Sequence, residues 1–567
     1  MKFSGADLLI HLLEQQGVRV IAGIPGGALL PLYDALGRSE RIRHILARHE
    51  QAAGFIAQGM ARITGKAGVC LATSGPGITN TITALADAKL DSIPLVCISG
   101  QVPQHLIGTD AFQEVPTIAM VSPITKASFF VRDARELLHV IPEAFRIAET
   151  GRPGPVLIDV PKDVQSQSID GTCRLSSGPA GCTAQIATNN AAGGDTGFDA
   201  AVDLIAHAQR PVLYVGGGVV KARAHHLVRE LAELIQTPVT TTLMALGTLA
   251  SDHPLNLGML GMHGARYTNQ VLDECDLLIA IGARFDDRAT GRPDRFASQA
   301  KVIHVDIDPR EFGKIRQPTL AIAADAHGAL VELLARARYQ HRAAWLERVR
   351  ELRAGAPLQM PDCDRICSPY GIVRAIGELA PEDVILTTDV GQHQMWVAQA
   401  FPFRRPDRWL TSGGLGTMGF GLPAAIGAAL AQPDATVICF TGDGSILMNI
   451  QELATLAELD LNVKIIVLDN GALGLVRQQQ TLFYRRQLVA SQFPQPSNFV
   501  AIARAFGVPA LDLESAAAPH GTLSRALRQP GPALVRVPIG ADRHVLPMVA
   551  PGAANVEALD YEEVAGD

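Results

Sequence analysis

The sequence predicts an α/β protein of three doubly wound parallel-sheet domains, and three observations carry that expectation. Short β-branched runs alternate with helix-length stretches along the chain, the pattern of βαβ units on sheets covered on both faces. Hydrophobic residues make up 47% and charged residues 19% of 567, which provides apolar material for several cores and excludes disorder as the dominant state. The segment RPGPVLIDVP at 152–161 is echoed by QPGPALVRVP at 529–538. A first and a last domain related by duplication are therefore expected to flank a different middle one.

The elements follow in order. Ser4 is a helix cap, Leu8, Leu9, Leu12 and Leu13 recur at helical spacing, and Gly17 is the stop. A strand from Val18 to Ile24 comes next, then strands in HILA, GVCLAT, PLVCIS and PVLIDV, which fill a first domain over 1–165. The stretch 166–196, rich in Gly, Ser, Ala and Asn, reads as a linker. Strands in PVLYVG, PVTTTL, DLLIAIG and KVIHVDID mark a middle domain over 197–340. A charged helix from Gln340 to Arg353 leads into APLQMPDCDRICSP, and 341–368 reads as a second linker. DVILTTD, WLTSG, TVICFTGDG, VKIIVLDN and ALVRVP then give the strands of a last domain over 369–567, which ends in a C-terminal tail.

Lys and Arg number 49 against 56 Asp and Glu, a net charge of −7. That balance lacks the basic excess that nucleic acid or an anionic membrane selects, so small-molecule chemistry is expected, with no nucleic acid and no membrane partner. None of the eight cysteines forms a CxxC pair or a zinc-spaced cluster, and Cys70, Cys97 and Cys439 sit inside apolar runs as reduced core thiols. No stretch of ~18 apolar residues occurs, and Asp7, His11 and Glu14 interrupt the N-terminal apolar face. A cytoplasmic protein is expected.

The strongest local signal is GDGS, Gly442 to Ser445, after the run TVICFT, with Asp469 and Asn470 after the run KIIVL. Two buried strands thus end on oxygen donors. An Asp carboxylate with an Asn amide oxygen suits a hard cation such as Mg²⁺ that keeps places for phosphate oxygens, and glycines let backbone amides approach a diphosphate.

With these residues in hand, the chain resembles the thiamine diphosphate enzymes. GDG followed by Asn is similar to their diphosphate motif, and RHEQ, from Arg48, carries the expected early glutamate, Glu50. Further matches resemble one branch, the catalytic subunits of biosynthetic acetolactate (acetohydroxyacid) synthase, over nearly the whole chain: IPGG from Ile24, TSGPG from Thr73, IGTDAFQE from Ile107, SPITK from Ser122, GMLGMHG from Gly258, GARFDDR from Gly282, TTDVGQHQMW from Thr387 and SGGLGTMGFGLP from Ser412. The resemblance implies a pyrimidine-binding first domain, an FAD-binding middle domain and a diphosphate-binding last domain. The activity it implies is decarboxylation of pyruvate with transfer of a hydroxyethyl unit to pyruvate or 2-ketobutyrate, yielding 2-acetolactate or 2-aceto-2-hydroxybutyrate for branched-chain amino acid biosynthesis.

Residue by residue, the resemblance implies that Glu50 hydrogen-bonds N1′ of the aminopyrimidine, that Gly26 and Gly27 let the backbone approach the cofactor, and that Phe112 and Gln113 line the reaction pocket. Val390 and Met418 would buttress the cofactor, in company with Gly391, Gln392, His393 and Gly416. Gly442, Asp443, Gly444, Ser445 and Asn470 would hold the diphosphate, and Asp443, Asn470 and the Ala472 carbonyl the Mg²⁺. FAD would meet Arg152, Gly216, Gly261, Met262, His263, Gly264, Gly282, Ala283, Arg284, Asp306 and Ile307, in a structural role, since the condensation has no redox step. Arg288 would bind the carboxylate of the second keto acid.

Two positions depart from the family pattern. Asp469 stands where relatives carry Asn, which makes the position before the ligand Asn470 anionic. Gln479 stands where many relatives carry a Trp associated with preference for 2-ketobutyrate. The resemblance further implies a homodimer or homotetramer with active sites between subunits, and a small regulatory subunit. A flavin-dependent oxidoreductase of the pyruvate oxidase type and a non-catalytic cofactor-binding protein are the alternatives on the same domain plan; Glu50, Asp443, Asn470 and Arg288 argue against the second.

Overall fold

The protein is described by a computed structural model that covers residues 3–169 and 195–565. Most of the stretch read as the first linker, with Cys173 and Cys182, lies outside the described residues. The opening helix is Gly5–Gln15. Ser4 Oγ accepts the Asp7 amide at 3.1 Å while the Asp7 carboxylate accepts the Ser4 amide at 3.0 Å, a reciprocal cap, and Gly17 follows at φ +81°.

The first sheet holds β2 (Val20–Gly23), β3 (Arg43–Leu46), β4 (Gly68–Ala72), β5 (Leu95–Gln101), β6 (Ala127–Phe130) and β7 (Pro155–Pro161). A short antiparallel pair, β1 (Phe3–Ser4) with β8 (Ser168–Ile169), ties the start of the supposed linker back to the N-terminus. The middle sheet holds β9 (Pro211–Val215), β10 (Val239–Thr241), β11 (Asn256–Met259), β12 (Leu277–Ile281), β13 (Lys301–Asp306) and β14 (Leu320–Ala323). The last holds β15 (Ile385–Thr388), β16 (Trp409–Leu410), β17 (Val437–Gly442), β18 (Val463–Asp469), β19 (Ala510–Asp512) and β20 (Ala533–Pro538). Every pairing in the three six-stranded sheets is parallel.

Spatial order separates the domains into two kinds. The first sheet runs β3-β2-β4-β5-β7-β6 and the last runs β16-β15-β17-β18-β20-β19, so their six strands, ranked along the chain, share one order, 2-1-3-4-6-5. The two strands that follow Pro-Gly-Pro, β7 and β20, occupy the same place in both sheets, as the sequence echo predicts. The middle sheet runs β11-β10-β9-β12-β13-β14, or 3-2-1-4-5-6, the other doubly wound order.

Four strands absent from the sequence reading are β6, β11, β14 and β19. Each lies at a sheet edge, and none is buried along its whole length. An edge strand covers only part of its surface, so it lacks the continuous apolar run that marks a central parallel strand. The stretch 341–368 also differs from a plain linker. It contains the helix Ala343–Gly355, whose buried Trp345 and Val349 pack on the middle sheet, with Trp345 Nε1 donating to the Pro211 carbonyl at 3.0 Å.

One core cluster runs without a break from the first sheet to the last, through the helices Glu50–Thr64 and Gly421–Ala431. These helices touch backbone to backbone. A Cβ on Gly59 would lie 2.2 Å from the Ala424 carbonyl oxygen, and one on Gly427 would lie 2.0 Å from the Ile56 carbonyl oxygen. Gly427→Ala is therefore expected to lower the thermal midpoint, as overpacking costs about 1–3 kcal/mol or more when backbone must move. Gly328→Ala, on a helix with nothing within 4 Å of the new Cβ, is expected to raise it slightly, by about 0.5–1 kcal/mol of helix preference. Thermal unfolding of the two variants beside wild type checks the opposite signs.

Candidate active site

Each sheet opens a crevice where its strand order reverses, at the carboxyl ends of its first strand and the neighbour that departs in the other direction. In the last domain those strands are β15 and β17. Val390, Gly391, Gln392 and His393 follow β15, Gly442 to Ser445 end or follow β17, and Asn470 follows the adjacent β18. Gly442 pairs with Leu468, so the two strand ends stand side by side and present Asp443 and Asn470 together.

The Ala472 amide measures their convergence: it lies 3.0 Å from Asp443 Oδ2 and 3.1 Å from Asn470 Oδ1. Gly471 makes the turn at φ +65°. Burial, with Asp469 adding to it, pushes the Asp443 carboxyl up to about 7. A chain of amides fixes which atom Asn470 presents. The Val545 backbone both donates to Gln478 Oε1 and accepts from Gln478 Nε2, each at 2.8 Å. Gln478 Oε1 also accepts from Gln392 Nε2 at 2.8 Å, which leaves Gln392 Oε1 to accept from Asn470 Nδ2 at 3.1 Å. Asn470 Oδ1 is thereby turned toward Asp443.

His393 is buried, its Nε2 has no hydrogen-bond partner, and burial drives its pKa down to about 3. An anion against that nitrogen would favour a proton there. The His393 ring also explains one glycine, because a Cβ on Gly442 would lie 3.0 Å from His393 Nδ1; a Cβ on Gly444 would lie 2.5 Å from Leu473 Cδ2. Those glycines admit neighbouring side chains, a different reason from close approach of their own backbone to a ligand. Val390 accepts from Ser445 Oγ at 2.9 Å, and Gly416, at φ +70°, has Val390 as its nearest neighbour. Met418 is half-buried at the same rim.

In the first domain Glu50 begins the helix Glu50–Thr64, after the cap His49, and its Oε2 accepts from Asn80 Nδ2 at 3.0 Å. Gly26 is pressed on Thr73, 2.4 Å from a Cβ built there, so its small size serves packing; Gly27 faces open space. Gln113 holds φ +63°, rare for a residue with a Cβ, against Gly75, where a Cβ would lie 2.8 Å from that of Gln113. Phe112 beside it is 88% exposed. Among the described residues no hydrogen bond or ion pair joins Glu50 to Asp443, Asn470 or Ala472.

The middle crevice lies between β9 and β12. Gly216 and Gly282 end these strands with their backbones touching, a Cβ on Gly216 lying 2.1 Å from the Gly282 carbonyl oxygen; Ala283 and Arg284 continue that turn. Asp306 ends β13, pushed up to about 6 by burial, and is followed by the exposed Ile307. Gly261 sits on the Arg288 carbonyl and Gly264 on the Met259 carbonyl. Met262 accepts from the Val549 amide, and the His263 ring meets the Pro547 carbonyl at 3.1 Å, so the C-terminal segment closes over this loop. The Arg152 guanidinium is engaged by Glu311 at 2.6 Å, Asp308 at 3.3 Å and Ser92 Oγ at 2.9 Å. The Arg288 side chain is 66% exposed, with Asp287 at 3.8 Å as its ion-pair neighbour.

Three family models match in succession: the N-terminal binding domain of thiamine pyrophosphate enzymes over 3–120, their central domain over 198–333 and their C-terminal binding domain over 389–537. The acetolactate synthase isozyme 1 large subunit of Escherichia coli is 56% identical, across 98% of each chain. The chain belongs to the acetolactate synthase large-subunit family. The Escherichia coli isozyme 2 large subunit is 45% identical over 98% of this chain and 99% of its own, and the large subunit of Parasynechococcus marenigrum is 47% identical over 98% and 91%. Thiamine diphosphate is the cofactor of such enzymes, and the two outer domains are the ones that bind it.

Against that family pattern, Asp469 is answered within the sheet. Arg536 of β20 donates to Asp469 Oδ2 at 2.6 Å and to Asp512 at 2.7 Å, so the extra negative charge beside Asn470 is paired. Sequence reasoning missed this partner and also Gln478. Gln478, Gln479 and Gln480 are identical in type; only the fold decides that Gln478 is buried in the amide chain, while Gln479 is half-buried. Gln478→Leu keeps the bulk and removes the chain. With Asn470 read as a metal ligand, it is expected to weaken thiamine diphosphate binding ~10–100-fold, as loss of groups that orient metal ligands does, measured by calorimetry without substrate. Wild-type affinity would show that Asn470 is oriented by other means.

Proposed function

We propose that this chain decarboxylates pyruvate with thiamine diphosphate and joins the hydroxyethyl unit to a second 2-keto acid, giving 2-acetolactate from pyruvate or 2-aceto-2-hydroxybutyrate from 2-ketobutyrate. The observation that carries the reading is the convergence of Asp443 and Asn470 oxygens on one amide beside the unpartnered His393 Nε2. That donor set fits Mg²⁺ and a diphosphate: a carboxylate, an amide oxygen and the Ala472 carbonyl would serve as hard oxygen ligands, and His393 Nε2 would face a phosphate oxygen.

When bound, thiamine diphosphate supplies a nucleophilic carbon and takes up the electron pair released as CO₂ leaves. The chain's own groups orient the reactants and move protons. Glu50 holds a proton at its carboxylate for exchange with the aminopyrimidine, steadied by Asn80. Val390 and Met418 would hold the cofactor's shape, and Phe112 and Gln113 would line the reaction pocket. Arg288 binds the carboxylate of the second keto acid. FAD suits the β9/β12 crevice, where Gly216 and Gly218 let the two strand ends close on Gly282, Asp306 offers a buried carboxyl and Ile307 an exposed apolar face; nothing in the condensation oxidises or reduces it, so its role is structural.

The same reading includes a site completed by a second copy, in a homodimer or homotetramer. A small regulatory subunit and a cytoplasmic location belong to the same reading. Among the described residues no helix is long and apolar enough to cross a membrane.

The deciding experiment supplies purified protein with pyruvate, Mg²⁺, thiamine diphosphate and FAD. Acetolactate is expected; acetate formation with oxygen uptake would replace the reading by an oxidase. Glu50→Gln is expected to lower turnover ~10²–10⁴-fold with the fold intact, the range for loss of a general acid/base. Mixing it with Asp443→Asn under subunit exchange should recover part of the activity, and no recovery in proven hybrids would place the whole site in one chain. At Gln479 the amide forfeits apolar contact with the extra methyl group of 2-ketobutyrate, a contact worth ~10–200-fold in discrimination. In competition, wild type should show little preference between the two keto acids, and Gln479→Trp should favour 2-ketobutyrate.

A further inference from the structure

A dense buried charge cluster outside these roles lies where the first and last domains meet beside the middle one. Asp87 and Asp91, one turn apart on the helix Pro76–Asp91, have no exposed side-chain surface. Arg62, from the helix that begins with Glu50, donates to Asp91 Oδ2 at 2.7 Å and lies 3.5 Å from Asp87 Oδ1. Its guanidinium also donates to the Thr411 carbonyl at 3.0 Å and stands over the Phe420 ring, 4.9 Å from the centroid. Burial would raise Asp91, but Arg62 and the more distant Lys221 of the middle domain hold it below the usual carboxylate range; burial beside Asp91 pushes Asp87 up to about 6.

Two buried carboxylates share one close cation. A joint that served only to hold domains together would be better made with one carboxylate, because an uncompensated buried charge is strongly unfavourable. What answers the surplus charge is a loop of the last domain. Asp87 Oδ2 accepts from the hydroxyls of Ser412 and Thr417, the latter at 2.9 Å, while Asp91 accepts from the backbone amides of Gly413 at 3.1 Å and Gly414 at 2.7 Å. Ser412 Oγ in turn accepts the Thr417 amide at 2.9 Å. The loop is otherwise open to solvent, with Gly413, Gly414, Leu415 and Gly416 exposed, and it leads directly into Met418.

We propose that Asp87 and Asp91 are positioning residues that clamp the 412–417 loop, so that Gly416 and Met418 stand against Val390 where the cofactor is held. Arg62 keeps the clamp charged and links it to the helix that carries Glu50. The inference rests on the reading of that rim as the thiamine diphosphate site. Hydroxyl donors turn to suit a new partner, whereas backbone amides do not, so the two carboxylates differ in what they tolerate. Asp91→Asn sets an amide NH₂ against a fixed N–H and displaces the loop; Asp87→Asn is the milder change.

The test measures three quantities on the holoenzyme: thiamine diphosphate affinity by calorimetry without substrate, turnover per bound cofactor, and the thermal midpoint. For Asp91→Asn, affinity and turnover are expected to fall together by ~10–100-fold, the cost of a small misplacement at a reacting centre. A smaller loss in both is expected for Asp87→Asn. Should Asp91→Asn not fold, Ser412→Ala and Thr417→Val remove loop donors while leaving Asp87, Asp91 and Arg62 in place, and the same paired loss is expected. A lowered midpoint with unchanged affinity and turnover per site would overturn the clamp and leave a purely structural cluster. Wild type that neither binds thiamine diphosphate nor consumes pyruvate would instead overturn the functional reading on which the clamp rests.

Discussion

Contact between the helices Glu50–Thr64 and Gly421–Ala431 is the constraint on which the rest of the molecule depends. Gly59 and Gly427 let each helix rest on the other's carbonyl oxygens, at a separation that no side chain with a Cβ allows without displacement. Phe55 and Phe420 meet edge to face beside that contact, their centroids 5.3 Å apart, and the Arg62 guanidinium stands over the Phe420 ring. One helix starts at Glu50; the other starts where the loop bearing Gly416 and Met418 ends. The packing of the first and last domains thus fixes, in one contact, the helix that begins at Glu50 and the loop that carries Gly416 and Met418.

From that contact outward, the site is assembled from strand ends and from amides held by other amides. Parallel strands carry their loops on one edge, so β15, β17 and β18 bring 390–393, 442–445 and 470–472 together with no further device. Orientation needs more. Asn470 presents its oxygen because Gln392 takes its NH₂, Gln392 is set by Gln478, and Gln478 is set by the Val545 backbone. A residue near the C-terminus therefore determines which atom faces Asp443, and the same C-terminal segment closes on Met262 and His263 of the middle domain.

Much of this was legible in the chain. Central strands such as β5, β9 and β18 are buried on both faces, and their uninterrupted apolar runs announced them; the Ser4 cap and the Pro-Gly-Pro echo were equally local signals. Edge strands β6, β11, β14 and β19 were illegible, because a half-covered strand has a mixed pattern. The helix Ala343–Gly355 was seen as a helix but placed in a linker, since Trp345 and Val349 are too few apolar residues to reveal which sheet they cover.

By itself the sequence determined the three sheets, the duplication, and the donor types at 443 and 470, because these depend on local periodicity and on the chemistry of single side chains. The tertiary structure alone decided that Asp469 is paired with Arg536, that Gln478 rather than Gln479 or Gln480 enters the amide chain, and that Asp87 and Asp91 hold a loop more than three hundred residues away. Those facts depend on which strands become neighbours and which helices touch. Hydrogen bonds and ion pairs act over a few ångströms of space and carry no trace of the sequence distance they span.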